Sequence, residues 1–441
     1  MSIQGPHTGK LARTTLTSLT AARVGLSHAG HRARQLLMDE PAKAAAQRAH
    51  EEKIGRLLFS ALNQLKGTAL KVSQMLSMES DILPEAIRRE LAKGCHQVTP
   101  LNRALVHKVF QQEFGAAPQA LFAHFDPVSF AAASLGQVHH AELAGGERVA
   151  VKVQYPGIAA SIGSDIAMLR GVVQTVAMMS DLLPPRALIE RVMNDIESKL
   201  GEELDYEHEA GQLAWFAARL PAPQLCVPLP VASHSSKRVL TMQRLDGLHL
   251  DAWLATQPDQ AQRNHYGQLL FDWFMYSVFE LAHLHADPHP GNFLFMADGK
   301  LGLLDFGCTK AISPAFSGAL AEVWCAALRR DEDPSGAALH RGYVALAMIA
   351  PDLPLEDFRE QLLPALADMQ DWQVEPFREA SFDFSRKSVF PTPEWEHNKV
   401  LSRSLTGMHE ELPYFDRAYM GLLHMLKRMG ALVVTRNRWI A

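Results

Sequence analysis

Hydrophobic residues along this chain change their period several times, and each change marks a new element. Between Glu52 and Ala92, Leu58, Leu62, Leu65, Ala69, Val72 and Leu76 recur at alternating spacings of four and three, the stripe of an amphipathic helix. Pro84 and Pro100 punctuate the segment after it. Near Phe130 the period shortens. "QVHHAEL" and "ERVAVKVQY" flank Gly145-Gly146, which predicts a β-hairpin. From Pro156 to about Leu220 the pattern is helical again and carries an acidic cluster. "CVPLPVA" and "KRVLTMQRL" predict two more short strands. Beyond Asp251 nearly everything reads as helix, except that "NFLFM", Asp298-Gly299 and "KLGLLDF" predict a tight hairpin. The order is a helical leader, a small sheet interrupted by a helical insert, and a mostly helical lobe. That is an α+β, two-lobed layout with a cleft between the lobes.

Composition narrows the function classes. The chain has 441 residues, 47% of them hydrophobic, enough for one large core or a few smaller ones. A net charge of −5, from 43 basic and 48 acidic residues, gives neither the global basic field of a nucleic-acid binder nor the acidic excess of a disordered chain. Cys95, Cys226, Cys308 and Cys325 form no CxxC pair, which suits a reducing compartment. The most apolar stretch, "LLFDWFMYSVFELAHLHA", carries Asp272 and Glu280 and reads as a buried helix, not a membrane span. The first acidic residue is Asp39, after Lys10, Arg13, Arg23, Arg32 and Arg34. Such a leader suits a soluble terminus, a mitochondrial transit peptide or a basic helix on anionic lipid. The expectation is a compact bacterial-type protein without a cleaved presequence.

The stretch "HADPHPGNFLFMADGKLGLLDFG", His285 to Gly307, holds the candidate chemistry. His283, His285, Asp287 and His289 alternate as zinc ligands sometimes do. Pro288 and Pro290 break the strand that reading needs, and no outlying Cys or His pair completes the set. Asp287-x4-Asn292, followed one hairpin later by Asp305 in Asp-Phe-Gly, fits phosphoryl transfer. One Asp faces the attacking hydroxyl, while an Asn and the second Asp hold Mg²⁺ on the phosphates of ATP or ADP. Hard oxygen donors are what Mg²⁺ and phosphate charge require. The remaining parts occur in order. "VAVK" ends in Lys152, a phosphate-pairing lysine on a strand. "FAAASLGQVH" precedes it as a small-residue loop. "EELDYEHEA" offers carboxylates to orient the lysine, and "VLTMQRLDG" is a hinge offering backbone groups near Met242–Arg244 to adenine. Ala286 stands where an H-R-D loop carries Arg, no Ala-Pro-Glu segment appears after it, and Ser313 N-caps a helix soon after Gly307. These features argue against a docked protein substrate.

With those motifs in place the chain resembles the UbiB/AarF/ADCK family of atypical kinases, over about Leu58–Lys310. "KVSQ", Lys71 to Gln74, is similar to the family's KxGQ motif, with Ser73 at its Gly; Ala131, Ala132, Ala133 and Ser134 match its alanine-rich nucleotide loop; Glu203 and Asp205 match its ExD motif, with Glu209 just beyond. The resemblance implies a bilobal protein-kinase-like fold with a helical N-terminal extension over the cleft. It implies that Glu203 pairs with Lys152 and that Lys71 reaches the nucleotide site. The implied domains are a basic leader (1–48), the KxGQ-type extension (49–125), an N-lobe (126–243) with its helical insert at about 157–220, and a helical C-lobe (244–441). The implied function is a Mg-dependent ATPase or kinase supporting ubiquinone or related prenyl-lipid metabolism, with prenyl lipids or quinone-pathway enzymes as partners. The placement is cytoplasmic, peripheral at the inner face of a membrane, or else mitochondrial. Two alternatives stand beside it: a nucleotide-switched scaffold with negligible turnover, and a kinase like those that modify aminoglycosides or choline, which share the Asp-x4-Asn loop and against which the KxxQ motif and alanine-rich loop argue. "DRAYMGLLHMLKRMGALVV" reads as an amphipathic helix with Lys427 and Arg428 near its end, either core with a solvated rim or a membrane contact.

Overall fold

The computed structural model describes residues 102–133, 135–179, 186–391 and 404–440, with residues 46, 49, 52–56, 72 and 400–401. Lys71, Ser73, Gln74 and Ser134 lie outside the described residues. The chain divides into two compact units, the first comprising Met1–Ala210 and Pro230–Arg244, the second Gly211–Leu229 and Leu245–Ala441.

The first unit is built on a four-stranded antiparallel sheet in the order β1-β2-β3-β5, with β1 His124–Ala133, β2 Gly136–Glu142, β3 Arg148–Gln154 and β5 Val239–Gln243. Alternation in "RVAVKVQ" decides how β3 lies, because successive side chains leave opposite faces of a strand. Val149, Val151 and Val153 enter one core with Phe122, Phe125 and the helix α1 (Arg103–Phe114), which contributes Val106, Val109 and Phe110. Lys152 is on the opposite face, itself only 6% exposed. The insert is helical, with α2 Ile158–Met179, α3 Arg186–Glu202 and the first turn of α4, Tyr206–Ala217, whose remainder belongs to the second unit. Arg170 on α2 bonds Glu190, Asn194 (3.0 Å) and Glu197 (3.1 Å) along α3. These residues recur at helical spacing, so one guanidinium spans one face of the neighbouring helix.

Two expectations change here. The alanine run is not an open loop: Ala131 pairs with Val138 and Ala133 with Gly136, so β1 runs through it after irregularities between Phe125 and Ala131. Gly136 serves close packing, since a Cβ there would lie 2.4 Å from the Val153 carbonyl oxygen and 2.9 Å from the Tyr206 hydroxyl. "CVPLPVA" yields only the two-residue β4, Leu225–Cys226, which lies in the second unit. Pro228 and Pro230 cannot donate to a ladder, which stops the strand.

The second unit is mainly helical. Its central helix α5, Gln260–Phe279, starts in a capping box at Asp259 and Gln262 and buries Leu270, Phe271, Trp273, Phe274 and Val278, as expected of the apolar stretch around it. Against it lie α6 (Pro314–Leu328) and α8 (Leu412–Met429), and α7 (Leu363–Val374) packs on α6. The amphipathic α8 turns Phe415, Tyr419, Leu422 and Leu426 inward, the core reading of that segment. The expected hairpin is β7 (Phe293–Phe295) with β8 (Leu301–Leu303), flanked by β4. Two further strand pairs, β6 (His283–His285) with β9 (Thr309–Ala311) and β10 (Ser381–Asp383) with β11 (Leu432–Val434), are not evident in the periodicity. No helix among the described residues is long and apolar enough to cross a membrane.

Candidate functional site

In the first unit Lys152 donates from Nζ to both carboxylate oxygens of Glu209, at 2.8 and 2.9 Å. Glu209 is 2% exposed. A pair this dry persists only where geometry offsets the desolvation of both charges, and two short charge-assisted bonds supply that geometry. The Tyr206 ring centroid lies 5.0 Å from the same ammonium, within reach of a cation–π contact. The family resemblance assigns the lysine's carboxylate to Glu203; the carboxylate found on it is that of Glu209. The reason lies in where α4 begins. Asp205 is its cap, accepting from the His208 N–H at 3.0 Å, so Glu203 falls in the turn before the helix while Glu209 stands inside it. Gln154 fixes that turn to β3 by donating from Nε2 to the Leu204 carbonyl at 3.0 Å.

Ala131 and Ala133 are half-buried strand residues, and Ser134 and the side chain of Ala132 lie outside what the structure describes. Met242 is buried in β5 and pairs with Ala150. The Arg244 N–H donates to the Arg148 carbonyl at 3.1 Å, because the β3–β5 ladder continues one residue past the strand end.

The second unit carries the aspartates. β6 leads into Ala286-Asp287, and a short turn at Pro290–Asn292 leads into β7. Asn292 Nδ2 donates to the Asp287 carbonyl at 3.1 Å, and the Asn292 carbonyl accepts from the Leu304 N–H at 3.0 Å. One residue thus ties the Asp287 loop to the Asp-Phe-Gly segment. Asp305 Oδ1 accepts from the Gly307 N–H at 2.9 Å. His285, 6% exposed, donates from Nε2 to the Asp305 carbonyl. Burial holds its pKa below the ordinary imidazole value, partly offset by the bond to Asp305. A neutral ring in this tautomer is a fixed donor rather than a charge. Phe306 is fully buried, its ring 4.5 Å from that of Phe216 and 5.0 Å from that of His285.

The donor set bears on Mg²⁺. With Nδ2 of Asn292 bonded to the Asp287 carbonyl, its Oδ1 is the atom left to serve as a ligand, in addition to the carboxylate of Asp305. Among the described residues no group of three or more His, Cys, Asp or Glu could hold a metal ion. Hard oxygen donors such as the Asn292 amide oxygen and the Asp305 carboxylate are of the kind that Mg²⁺ shared with substrate phosphates takes, so the residues fit the ion. One further contact has no signal in the hydropathy pattern or the motifs: Arg417 on α8 places Nη2 3.3 Å from Asp287 Oδ1.

Comparison with known proteins bears on the family and the fold. The ABC1 atypical kinase-like domain matches residues 93–335, which begins after Lys71 and Gln74. An uncharacterized protein of Synechocystis sp. is 32% identical over 71% of this chain and 44% of its own length. The mitochondrial atypical kinase COQ8 of Saccharomyces cerevisiae is 28% identical over 85% of this chain and 73% of its own length. The mitochondrial atypical kinase COQ8B of Danio rerio is 32% identical over 60% of this chain and 42% of its own length. The chain therefore spans from about two fifths to three quarters of the length of these relatives. Among solved structures, Rv3197 of Mycobacterium tuberculosis, in complex with erythromycin, matches at a TM-score of 0.60 and 26% identity, covering 89% of this chain and 96% of that one. The fold is mixed α+β and kinase-like, and the chain belongs to the ABC1/UbiB atypical kinase family.

Proposed function

We propose that this protein is a Mg²⁺-dependent ATPase or small-molecule kinase. In this reading Lys152, oriented by Glu209, neutralises phosphate oxygens of ATP; Asp287 faces the attacking hydroxyl; and Asn292 and Asp305 hold Mg²⁺. The ion, when bound, spreads the charge that develops on the transferring phosphoryl group. As the acceptor oxygen bonds to the γ-phosphorus, the bond to the ADP oxygen breaks, and the Asp287 carboxylate takes the acceptor's proton. Water serves as acceptor for an ATPase, a small-molecule hydroxyl for a kinase.

The observation that carries the proposal is the buried Lys152–Glu209 pair. Without a phosphate to serve, two buried charges contribute no more than a hydrophobic replacement would. Phosphorylation of proteins in trans is not part of the reading. β9 and α6 begin within a few residues of Gly307, leaving no long segment on which a peptide could dock. The resemblance in the KxGQ-type extension supports a gating role for Lys71 and Gln74, with the extension lying over the nucleotide site and Glu203-Leu204-Asp205 beside the nucleotide. Kinship with COQ8 supports a role in ubiquinone or related prenyl-lipid metabolism, exercised through peripheral membrane contact.

Phosphate release from Mg·ATP, measured with and without vesicles of anionic lipid beside an Asp305→Asn control, tests this. Turnover that the control abolishes and lipid raises is expected. Nucleotide binding with no turnover in either condition would contradict it and favour a nucleotide-switched scaffold.

A further inference from the structure

The last helix of the second unit, α8, meets the catalytic loop along one face. Glu411, at its N-cap, accepts from the Ser313 N–H at 2.9 Å and from the Ser313 hydroxyl at 3.2 Å. The Tyr414 ring centroid lies 5.1 Å from Lys310 Nζ. Arg417 reaches Asp287. Gly421 packs on Pro288, where a Cβ would come within 2.1 Å of the proline's own Cβ. Steps of three, three and four place all four residues on one side of a helix. This face therefore touches both the loop that holds Asp287 and the segment after Asp-Phe-Gly.

The Arg417 and Asp287 side chains are 13% and 12% exposed. Away from water, the direction of a carboxylate depends strongly on its charged partner, and losing that partner is costly. The loop's own polar groups are turned to the backbone: Asn292 Nδ2 bonds the Asp287 carbonyl, His285 bonds the Asp305 carbonyl, and His289 Nδ1 accepts from the Gly291 N–H. Ala286, the preceding residue, has no polar side chain. A guanidinium comes instead from a helix 130 residues later in the chain, and Gly421 allows that helix to approach.

We propose that Arg417 is a positioning residue for phosphoryl transfer: it holds the Asp287 carboxylate at the angle from which it receives the acceptor's proton. The C-terminal helix thereby becomes part of the reaction machinery. This rests on the reading of Asp287 as the carboxylate at the attacking hydroxyl.

Arg417→Gln and Arg417→Lys are compared for Mg·ATP turnover. Melting temperatures are measured for Arg417→Gln, Asp287→Asn and the double variant. Arg417→Gln is expected to lower kcat about 100-fold, as misplacing a reacting group by about 1 Å does, with KM for ATP unchanged. Arg417→Lys restores much of the loss. Arg417→Gln lowers the melting temperature of the native sequence by more than that of Asp287→Asn, where this pair's partner charge is already gone. An unchanged kcat in Arg417→Gln overturns the inference, as does a raised one, which would mark the arginine as a brake. An equal melting loss in both backgrounds also overturns it. A wild-type protein with no turnover overturns the functional reading beneath it; full turnover by Arg417→Gln overturns this inference alone.

Discussion

The two units hold the charges proposed for phosphoryl transfer by different means. In the first, regular periodicity does it: Lys152 projects from a seven-residue strand and Glu209 from a capped helix, and their side chains meet directly. In the second, three-residue strands and a short turn carry Asp287, Asn292 and Asp305. Those pieces have little conformational preference of their own, so hydrogen bonds and packing from His285, Phe306, Arg417 and Gly421 hold them. A site made by regular elements is most sensitive to its own charges. A site made by irregular pieces is most sensitive to neighbours that carry no reaction chemistry.

The largest effect expected from this contrast is in the first unit. Glu209→Ala leaves a buried ammonium without its carboxylate, which costs about 3–5 kcal/mol and should abolish turnover. Denaturant unfolding of the variant measures it, and a loss below about 1 kcal/mol would mean the pair behaves like one on the surface. Next is Gly421→Val in the second unit. No charge changes, yet the added carbons collide with Pro288, an overpacking cost of about 1–3 kcal/mol. A lower kcat at unchanged KM for ATP is the expected kinetic result. Retained kcat would undo the contrast, because the loop would then not depend on α8.

The smallest effect concerns the sheet of the first unit. His139 is fully buried; its Nδ1 lies 2.8 Å from the Asp126 carbonyl and its Nε2 2.8 Å from Gln137 Nε2. A carbonyl only accepts, so Nδ1 carries the proton and Nε2 accepts from the amide. A second proton would turn that acceptor into a donor facing a donor. Burial, only partly offset by the bond to Asp126, accordingly lowers the pKa. The unfolded chain takes up this proton near pH 6.5 and the folded chain only at lower pH. The stability contributed by the neutral ring is therefore present above about pH 6.5 and is lost as pH falls below it, at no more than about 1.4 kcal/mol per pH unit. Unfolding titrations of wild type and His139→Asn between pH 7.5 and 5.0 should differ in slope in that window. Parallel slopes would mean the ring does not titrate with folding.

Legibility in the sequence divides along the same line. Alternation in "RVAVKVQ" and the "NFLFM"–"KLGLLDF" hairpin is local, so β3, β7 and β8 lie where the pattern puts them. The Asp287, Asn292 and Asp305 spacing is readable because those residues belong to one short stretch. Glu203 and Glu209 are indistinguishable by composition. Treating Asp205 as an N-cap separates them, since a cap there puts Glu209 on the helix and Glu203 before it. The β6–β9 pair and the Arg417 contact join segments far apart in the chain, and three-residue strands carry too few positions to show a period. The bond from the Arg244 N–H to the Arg148 carbonyl is likewise not legible, since a ladder's last hydrogen bond leaves no trace in hydropathy.

Nucleotide affinity, titrated with and without Mg²⁺ for wild type, Lys152→Met and Asp305→Asn, separates the proposed roles of the two units. Lys152→Met should weaken ATP binding whether or not Mg²⁺ is present, because the lysine acts on phosphate itself. Asp305→Asn should remove only the Mg²⁺-dependent gain. A wild-type protein that does not bind ATP, or an Asp305→Asn defect that is the same without Mg²⁺, would contradict the division of labour proposed for these residues.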